Sequence, residues 1–486
     1  MRTAQTTEGE DRVAREAPRR SGLSLDAVWA MLAVALPAAA SMLGRMVAID
    51  LAYQVRAGNV MLDTHRILRV NTFTFVRRGV PWLNQQWGAQ VLTASAWRLG
   101  GWNGVVFAWG LLIGVTFFFV YRAVRASGAS PRTASLLTLG SYVVGIELLG
   151  MRPQLFGIAL FAATQWIVST RAEHPRRLWL IPVIVLVWAN THGSFPLAFF
   201  LLGFAWLRDR RPKPRLARTI LGVATTSVAA SLVNPYGPRV WSYAAGLSTN
   251  GTIAKYVAEW MPPSVRSPAG LLFFGSLLAV AAFFARRGAV DWITLLELAV
   301  VAGLGFVAIR GVIWWALVAP VAVARVRGTE ARRERSASPL NMAVAAAVVF
   351  LLLVALPFRR GTNPDTGAPD VLTVAPQELV AAAAARVPSG SNVFASQVFA
   401  SWMEFSAPTS RVLVDSRIEL FPDALWLQYL AVSDGRQGWQ ATLDAWNVRA
   451  LVLDPGQASG LLKVIGSDGG WRRVLKTDDG SVYVRS

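Results

Sequence analysis

Long, almost unbroken apolar runs separated by short arginine-rich turns fill the chain as far as residue 357. Beyond that point the apolar runs shorten and alternate with turn residues. A membrane-crossing helix needs roughly 20 mostly apolar residues. That ruler predicts about eleven spans, at residues 27–47, 102–121, 133–150, 153–169, 178–191, 194–207, 219–233, 269–285, 290–309, 311–324 and 339–357. Two polar stretches between spans are long, residues 48–101 and 234–268. The Gly361–Pro369 stretch reads as a linker. After it, helices are expected at Pro376–Val387, Leu425–Val432 and Trp439–Trp446, and strands at Asn392–Ala395, Arg411–Asp415 and Ala450–Asp454. A hairpin is expected to join Trp471–Lys476 to Ser481–Arg485 across Asp478–Gly480. Alternating helices and strands indicate a small α/β domain.

Charge supplies an orientation. The first 26 residues are polar and carry Arg2, Arg12, Arg15, Arg19 and Arg20, with no signal-cleavage pattern after them, so residues 1–26 are expected to form a cytoplasmic tail. With that end inside, each predicted inner turn is basic: Arg122 and Arg125; Arg171, Arg176 and Arg177; Arg208 to Arg215; Arg286 and Arg287; Arg325 to Arg335. This is the bias of cytoplasmic loops toward Lys and Arg. Residues 48–101, 234–268 and 358–486 then lie outside. The expectation is an α-helical polytopic protein of a bacterial inner membrane, with a transmembrane domain over 27–357 and an extracytoplasmic α/β domain over 358–486.

Composition agrees. The chain of 486 residues is 54% hydrophobic and only 16% charged, against about 25% charged in soluble domains, and its mean hydropathy is +0.41. The net charge of +20 comes with arginines in short blocks between apolar spans, so it argues for topology and against a nucleic-acid partner. There is no cysteine, which excludes disulfides, thiolate nucleophiles and cysteine-ligated metals.

The topology gathers the unusual polar residues at one membrane face. Asp50 follows the first span. Glu147 and Arg152 flank the next outer turn, Asn190 and His192 end the fifth span, Asn234 and Glu259 lie in the second long outer segment, and Arg310 is in the turn between spans nine and ten. Ionisable groups in or near a bilayer are costly and tend to be functional. Simpler roles exist for each. Arg152 and Arg310 would also suit headgroup snorkelling, Asn190 with His192 an interhelical polar pair, and Asn84, Gln85 and Gln86 the backbone of a re-entrant turn.

These residues fall in a pattern. Asp50-Leu51-Ala52-Tyr53-Gln54, Asn71-Thr72-Phe73-Thr74-Phe75 and Trp82-Leu83-Asn84-Gln85-Gln86-Trp87 occupy the first outer segment. Arg152-Pro153-Gln154, Trp188-Ala189-Asn190-Thr191-His192-Gly193, Asn234-Pro235-Tyr236-Gly237, Glu259-Trp260, Arg310 and Asp415-Ser416-Arg417 follow. Together they resemble a bacterial family of polytopic proteins related to the GT-C glycosyltransferases, a superfamily that includes protein O-mannosyltransferases and lipid A aminoarabinose transferases. The resemblance covers nearly the whole chain. It departs where the family has Trp-Trp-His and this chain has Ala52-Tyr53-Gln54, and where family acids are Asn71 and Gln86.

The resemblance implies a GT-C-like fold. It also implies transfer of a sugar from a polyprenyl-phosphate carrier, at the outer face, to an envelope glycan, lipid or protein. Such an enzyme needs a base for the attacking hydroxyl, cations for the leaving phosphate and an apolar groove for the lipid. Asp50 suits the first task, with Asp63 a second candidate. Arg152 and Arg310 suit the second, since Arg meets phosphate oxygens bidentately, with His192 and Asn190 beside them as donor-binding candidates. Asn84, Gln86, Trp87, Asn234 and Glu259 are the candidate substrate contacts. No metal-ligand constellation stands out and no cofactor is implied with certainty, a divalent metal remaining open. The Asp415-Ser416-Arg417 cluster is expected to be a local salt bridge, with acceptor binding as the other reading. The alternative functions are a non-enzymatic scaffold with a decayed loop and, less favoured, a transporter or flippase.

Overall fold

The computed structural model describes residues 23–249, 258–288, 290–329 and 337–486. Most of the expected cytoplasmic tail, the 250–257 part of the second long segment and the arginines at 332, 333 and 335 lie outside the described residues.

In chain order the first part forms α1 (Leu25–Leu43), α2 (Ala48–Thr64), α3 (Trp87–Ala126), α4 (Pro131–Gly145), α5 (Pro153–Ser169), α6 (Ile181–Ala189), α7 (Leu197–Asp209), α8 (Pro214–Ser231), α9 (Arg239–Thr249), α10 (Pro268–Arg287), α11 (Trp292–Val307), α12 (Val312–Arg327) and α13 (Pro339–Ala355). Local chemistry sets several starts. Ser24, Ser130, Ser267, Asp291 and Ser338 each accept a hydrogen bond from an amide of the first turn, and Pro follows directly at α4, α10 and α13. A proline at the first helical position loses no bond, because that amide has no partner inside the helix.

Each expected span overlaps one of these helices. By length and composition, α1, α3, α10 and Ile309–Arg327 are long and apolar enough to cross a membrane. The segment expected as an outer loop over 48–101 is largely helical, a correction. It holds α2 and the first turns of α3, which bends at Gly100 and Gly101. Gly101 has φ +58°, a left-handed conformation that favours glycine. The predicted span at 102–121 begins just past that bend. Gly58 lets α2 lie against α3, since a Cβ there would sit 2.2 Å from the Gln90 carbonyl oxygen.

The later part carries a five-stranded sheet. β3 (Asn392–Ala395) is parallel to β4 (Arg411–Val412) and to β5 (Val448–Leu453). β7 (Ser481–Arg485) joins β5 antiparallel, and β6 (Trp471–Lys476) closes the hairpin, so the order is β4-β3-β5-β7-β6. Helices α14 (Gln377–Ala384), α15 (Gln397–Ser406), α16 (Asp423–Ser433), α17 (Trp439–Ala445) and α18 (Ser459–Val464) intervene. The expected strand Arg411–Asp415 is cut to two residues. Asp415 Oδ1 instead accepts from the Arg417 amide at 2.7 Å, an Asx turn that pulls the chain off the sheet.

Two features dock this region onto the helices. β1 (Met46–Val47) pairs in parallel with β2 (Leu372–Thr373). Trp402 and Phe405 of α15, a helix absent from the expectations, pack on Trp102 of α3 at ring-centroid distances of 5.7 and 5.0 Å. Such pairs contribute about 0.5–1.5 kcal/mol each beyond area burial. At the opposite end of the bundle, the basic turns are partly ion-paired. Arg171 meets Asp209 at 2.6 Å, while Arg208 and Arg325 share Glu297 at 2.6 and 3.0 Å.

Candidate active site

The β1–β2 pairing holds residues 46–47 extended, and the chain turns helical directly after it. That places Asp50 in the first turn of α2, where the positive helix end favours a carboxylate. Arg152 is the N-cap of α5. Arg310 lies in a single 3-10 turn between α11 and α12. The Ile309 amide donates to the Met261 carbonyl at 2.9 Å, which sets Glu259 and Trp260 beside that turn.

These pieces converge. Arg152 Nε lies 3.2 Å from Asp50 Oδ2, and Arg152 Nη1 also bonds Glu259. Arg310 Nε lies 3.5 Å from the other Glu259 oxygen, donates with Nη2 to Gln154 Oε1 at 3.1 Å, and stands over the Trp260 ring at 5.2 Å. The result is an alternating row, Asp50–Arg152–Glu259–Arg310, along one wall of a cavity of about 400 Å³. His192, Gln54 and Gln86 line the same cavity. The facing wall comes from the later part of the chain, through Gln397, Ser416, Arg417, Ile418 and Glu419, with Tyr243 of α9 alongside.

Of the residues singled out in the sequence, Asp50, Gln86, Arg152, His192, Glu259 and Arg310 therefore share one cavity. Asn84, Trp87, Asn190 and Asn234 do not line it, a correction to the expected contacts. Asn84 exchanges amide hydrogen bonds with Gln90 at 2.7 and 2.9 Å. Trp87 Nε1 donates to Asn190 Oδ1 at 2.9 Å, and Asn190 donates to the Leu186 and Val233 carbonyls at 2.8 and 2.9 Å. Asn234 donates to the Ser231 carbonyl at 2.7 Å and closes a turn. All four hold loops behind the cavity. Asp63, the second candidate base, is 64% exposed and paired with Arg98 at 2.5 Å, outside it.

His192 lines the cavity as a neutral group. Burial, with Arg310 nearby, pushes its imidazole down to about 3. Its Nδ1 accepts from the Ser194 amide at 3.1 Å, so the proton sits on Nε2. It offers a hydrogen bond there and no charge.

The departures from the family pattern form contacts of their own. Gln54 Nε2 donates to the Tyr53 hydroxyl at 2.5 Å and to Gln86 Oε1 at 3.2 Å, so two of the altered positions are partners. Asn71 Oδ1 accepts from Arg417 Nη2 at 3.0 Å. Arg417 is sealed: its side chain is 1% exposed, it is ion-paired with Asp415, and its guanidinium lies 4.5 Å from the Trp82 ring centroid. The expected local salt bridge is present, and it binds the later region to the first outer segment. Glu404 closes this cluster. Burial, then the Asp415 carboxylate, pushes its carboxyl well above the usual range. Neither of its oxygens meets an N–H or O–H donor. A carboxyl–carboxyl bond to Asp415 with the proton on Glu404 accounts for both facts.

Gln154, Tyr243, Gln397 and Glu419 are cavity residues not singled out from the sequence. Gln154 sits inside the Arg152-Pro153-Gln154 motif, a usable signal. The other three reach the cavity only through the docking of distant segments. Among the described residues no three His, Cys, Asp or Glu side chains are grouped as metal ligands. The two carboxylates on the row, Asp50 and Glu259, are bridged by Arg152, so a guanidinium already occupies the cation position between them.

The fold is similar to that of solved GT-C glycosyltransferase structures. The apo oligosaccharyltransferase of Archaeoglobus fulgidus superposes with a TM-score of 0.52 at 12% identity, over 94% of this chain and 74% of that one. The mycobacterial arabinofuranosyltransferase AftD gives 0.56 at 17% identity, over 96% and 40%. ArnT of Cupriavidus metallidurans gives 0.51 at 11%, over 93% and 96%. No family model matches the chain, and no curated protein matches it in sequence. The shared fold and the apolar helices make this a multi-pass membrane protein.

Proposed function

We propose that this chain is an inverting glycosyltransferase of the bacterial inner membrane, transferring a sugar from a polyprenyl-phosphate donor to an envelope acceptor at the outer face. One observation carries the reading: Asp50, Arg152 and Arg310, from three separate turns, meet on one cavity within a GT-C fold. A lipid phosphate suits the arginines, and a dolichol-phosphate is bound in one structure of the archaeal oligosaccharyltransferase.

The chemistry follows from the row of charges. Glu259 bridges the two guanidiniums, at a position a donor phosphate would take by displacing it. Arg152, drawn to that phosphate, releases Asp50. The acceptor hydroxyl oxygen then attacks the anomeric carbon from the face opposite the phosphate. Its proton passes to Asp50, the C–O bond to phosphate breaks, and the electron pair stays on the phosphate oxygen, where Arg152 and Arg310 offset the developing charge. One displacement inverts the anomeric centre.

The test is Asp50→Asn in membranes supplied with labelled polyprenyl-phosphate sugars. Transfer is expected to fall by about 10²–10⁴-fold, the usual contribution of a positioned base, at unchanged protein level. Full transfer by that variant would remove Asp50 from the mechanism. The scaffold reading retains one supporting observation, the Gln54–Gln86 amide contact where the family pattern has His and Glu.

A further inference from the structure

The loop that carries Glu419 is fixed from three sides. Arg417 bonds Asn71, Arg77 Nε donates to the Leu420 carbonyl at 3.0 Å, and the Phe75 amide donates to the Val412 carbonyl at 3.0 Å. Glu419 is therefore held against the cavity by the first outer segment. It bonds the Tyr243 hydroxyl. The nearby guanidiniums are engaged elsewhere, Arg417 with Asp415 and Arg310 with Glu259 and Gln154. Burial pushes the Glu419 carboxyl up to about 7. Across the cavity, Gln54 is 2% exposed, and its Oε1 is buried without a hydrogen-bond partner.

Holding a carboxyl and an amide oxygen half-made in this way is costly, because buried polar groups lose water and gain nothing until a partner arrives. Neither group is needed to hold the fold, since the loop's anchors lie behind them. The polar side chains on this wall are a carboxyl, a phenol, the Ser416 hydroxyl, the Gln397 amide and the Arg417 guanidinium, which is ion-paired with Asp415 and keeps Nη1 without a hydrogen-bond partner. The charge of its one cation is matched by Asp415, and the set both accepts and donates. Adjacent hydroxyls on a sugar ring do the same.

We propose that Glu419, with Tyr243 and the free oxygen of Gln54, forms the acceptor subsite, and that the acceptor it takes is a polyhydroxylated saccharide. This rests on the transferase reading and adds the chemical class of its acceptor.

The full chain in lipid nanodiscs is the material for the test. The probes are methyl glycosides of di- and trisaccharides, a serine/threonine tripeptide and a polyprenyl phosphate, with binding read by saturation-transfer NMR. Saccharide binding is expected to weaken by about tenfold or more in Glu419→Ala, the effect of losing hydrogen bonds to a charged group. Polyprenyl-phosphate binding should stay within about threefold, which shows an intact cavity. Glu419→Gln keeps the shape and one acceptor oxygen, so a smaller loss is expected. Wild-type saccharide affinity in both variants overturns the proposal. So does Glu419-dependent binding of the tripeptide alone, or binding of polyprenyl phosphate with no saccharide binding, and both of those leave the transferase reading standing. Binding of neither class by the wild-type chain overturns both.

Discussion

Two clusters of arginine and carboxylate lie close together in this molecule and do opposite things. In one, Arg417 meets Asp415, Glu404 and Asn71, with side chains 0–1% exposed at the ionic groups. Aromatic rings of Tyr53, Phe73 and Trp82 surround its guanidinium. In the other, Asp50, Arg152, Glu259 and Arg310 are 25–32% exposed and border the cavity. The residue types are the same. What separates a fastener from a site is how far the guanidinium is enclosed. Arg417 is enclosed by three rings and ion-paired with Asp415, with its side chain only 1% exposed. Arg152 and Arg310 are joined through Glu259, an anion that a phosphate of the same charge sign can replace.

That contrast is most sharply broken by removing Arg417. Arg417→Ala leaves Asp415 buried without its cation and is expected to cost about 3–5 kcal/mol, read as a large fall in thermal unfolding midpoint and in folded protein recovered. Next is Arg310→Ala. It is expected to weaken polyprenyl-phosphate binding by about tenfold while changing stability by no more than about 1 kcal/mol. If Arg310→Ala unfolded the protein as Arg417→Ala does, the distinction between the clusters would collapse.

A third test uses pH. The groups facing Glu419 are Asp50 and Tyr53 from α2, Tyr243 from α9, Arg310, and Arg417 with Asp415 from its own loop. Below about 7 the Glu419 carboxyl keeps its proton. Above it the carboxylate accepts hydroxyl hydrogens with both oxygens. Saccharide binding is therefore expected to rise as pH passes upward through about 7, and the rise should vanish in Glu419→Gln.

The smallest effect is expected at Glu404. Its folded-state pKa is raised, so above the ordinary carboxylate range the unfolded chain releases a proton that the folded chain keeps, and stability declines as pH rises. Glu404→Gln keeps a donor for Asp415 and removes that decline. Stability at neutral pH is expected to stay within about 1 kcal/mol of wild type or to increase slightly, with a flatter profile in urea unfolding from pH 5 to 8. A steep loss would mean that Glu404 is ionised.

Much of this arrangement is legible in the sequence, for a physical reason. Apolar runs and basic turns report burial and orientation locally, so they locate the segments carrying Asp50, Arg152, His192 and Arg310 and assign them to one face. The polar clusters behind the cavity are harder. Asn84, Asn190 and Asn234 have the composition of ligand contacts, yet their bonds go to Gln90, backbone carbonyls and a turn, and only coordinates reveal such partners. Glu419 is missed for a different reason. The Asp415-Ser416-Arg417 cluster two residues before it is a nearby signal, but the place of Glu419 beside α2 and α9 is decided by contacts such as Arg417–Asn71, which join residues 346 positions apart. Helix α15 buries Phe399, Trp402 and Met403 at i, i+3 and i+4, a helical period, but its ten residues make that pattern too short to stand out.

The bond from Arg417 to Asn71 also sets a clock. Its two ends are separated by 346 residues, and chains grow at about 5–20 residues per second, so roughly 20–70 s pass between their syntheses. During that interval the wall bearing Asp50 is completed as far as Arg310, and its counterpart is made last. A chain halted after Arg310 and before Gln397 would carry both arginines of the row and lack the facing wall. Assembly of the cavity is thus among the last events of synthesis, and shorter products lack one of its walls.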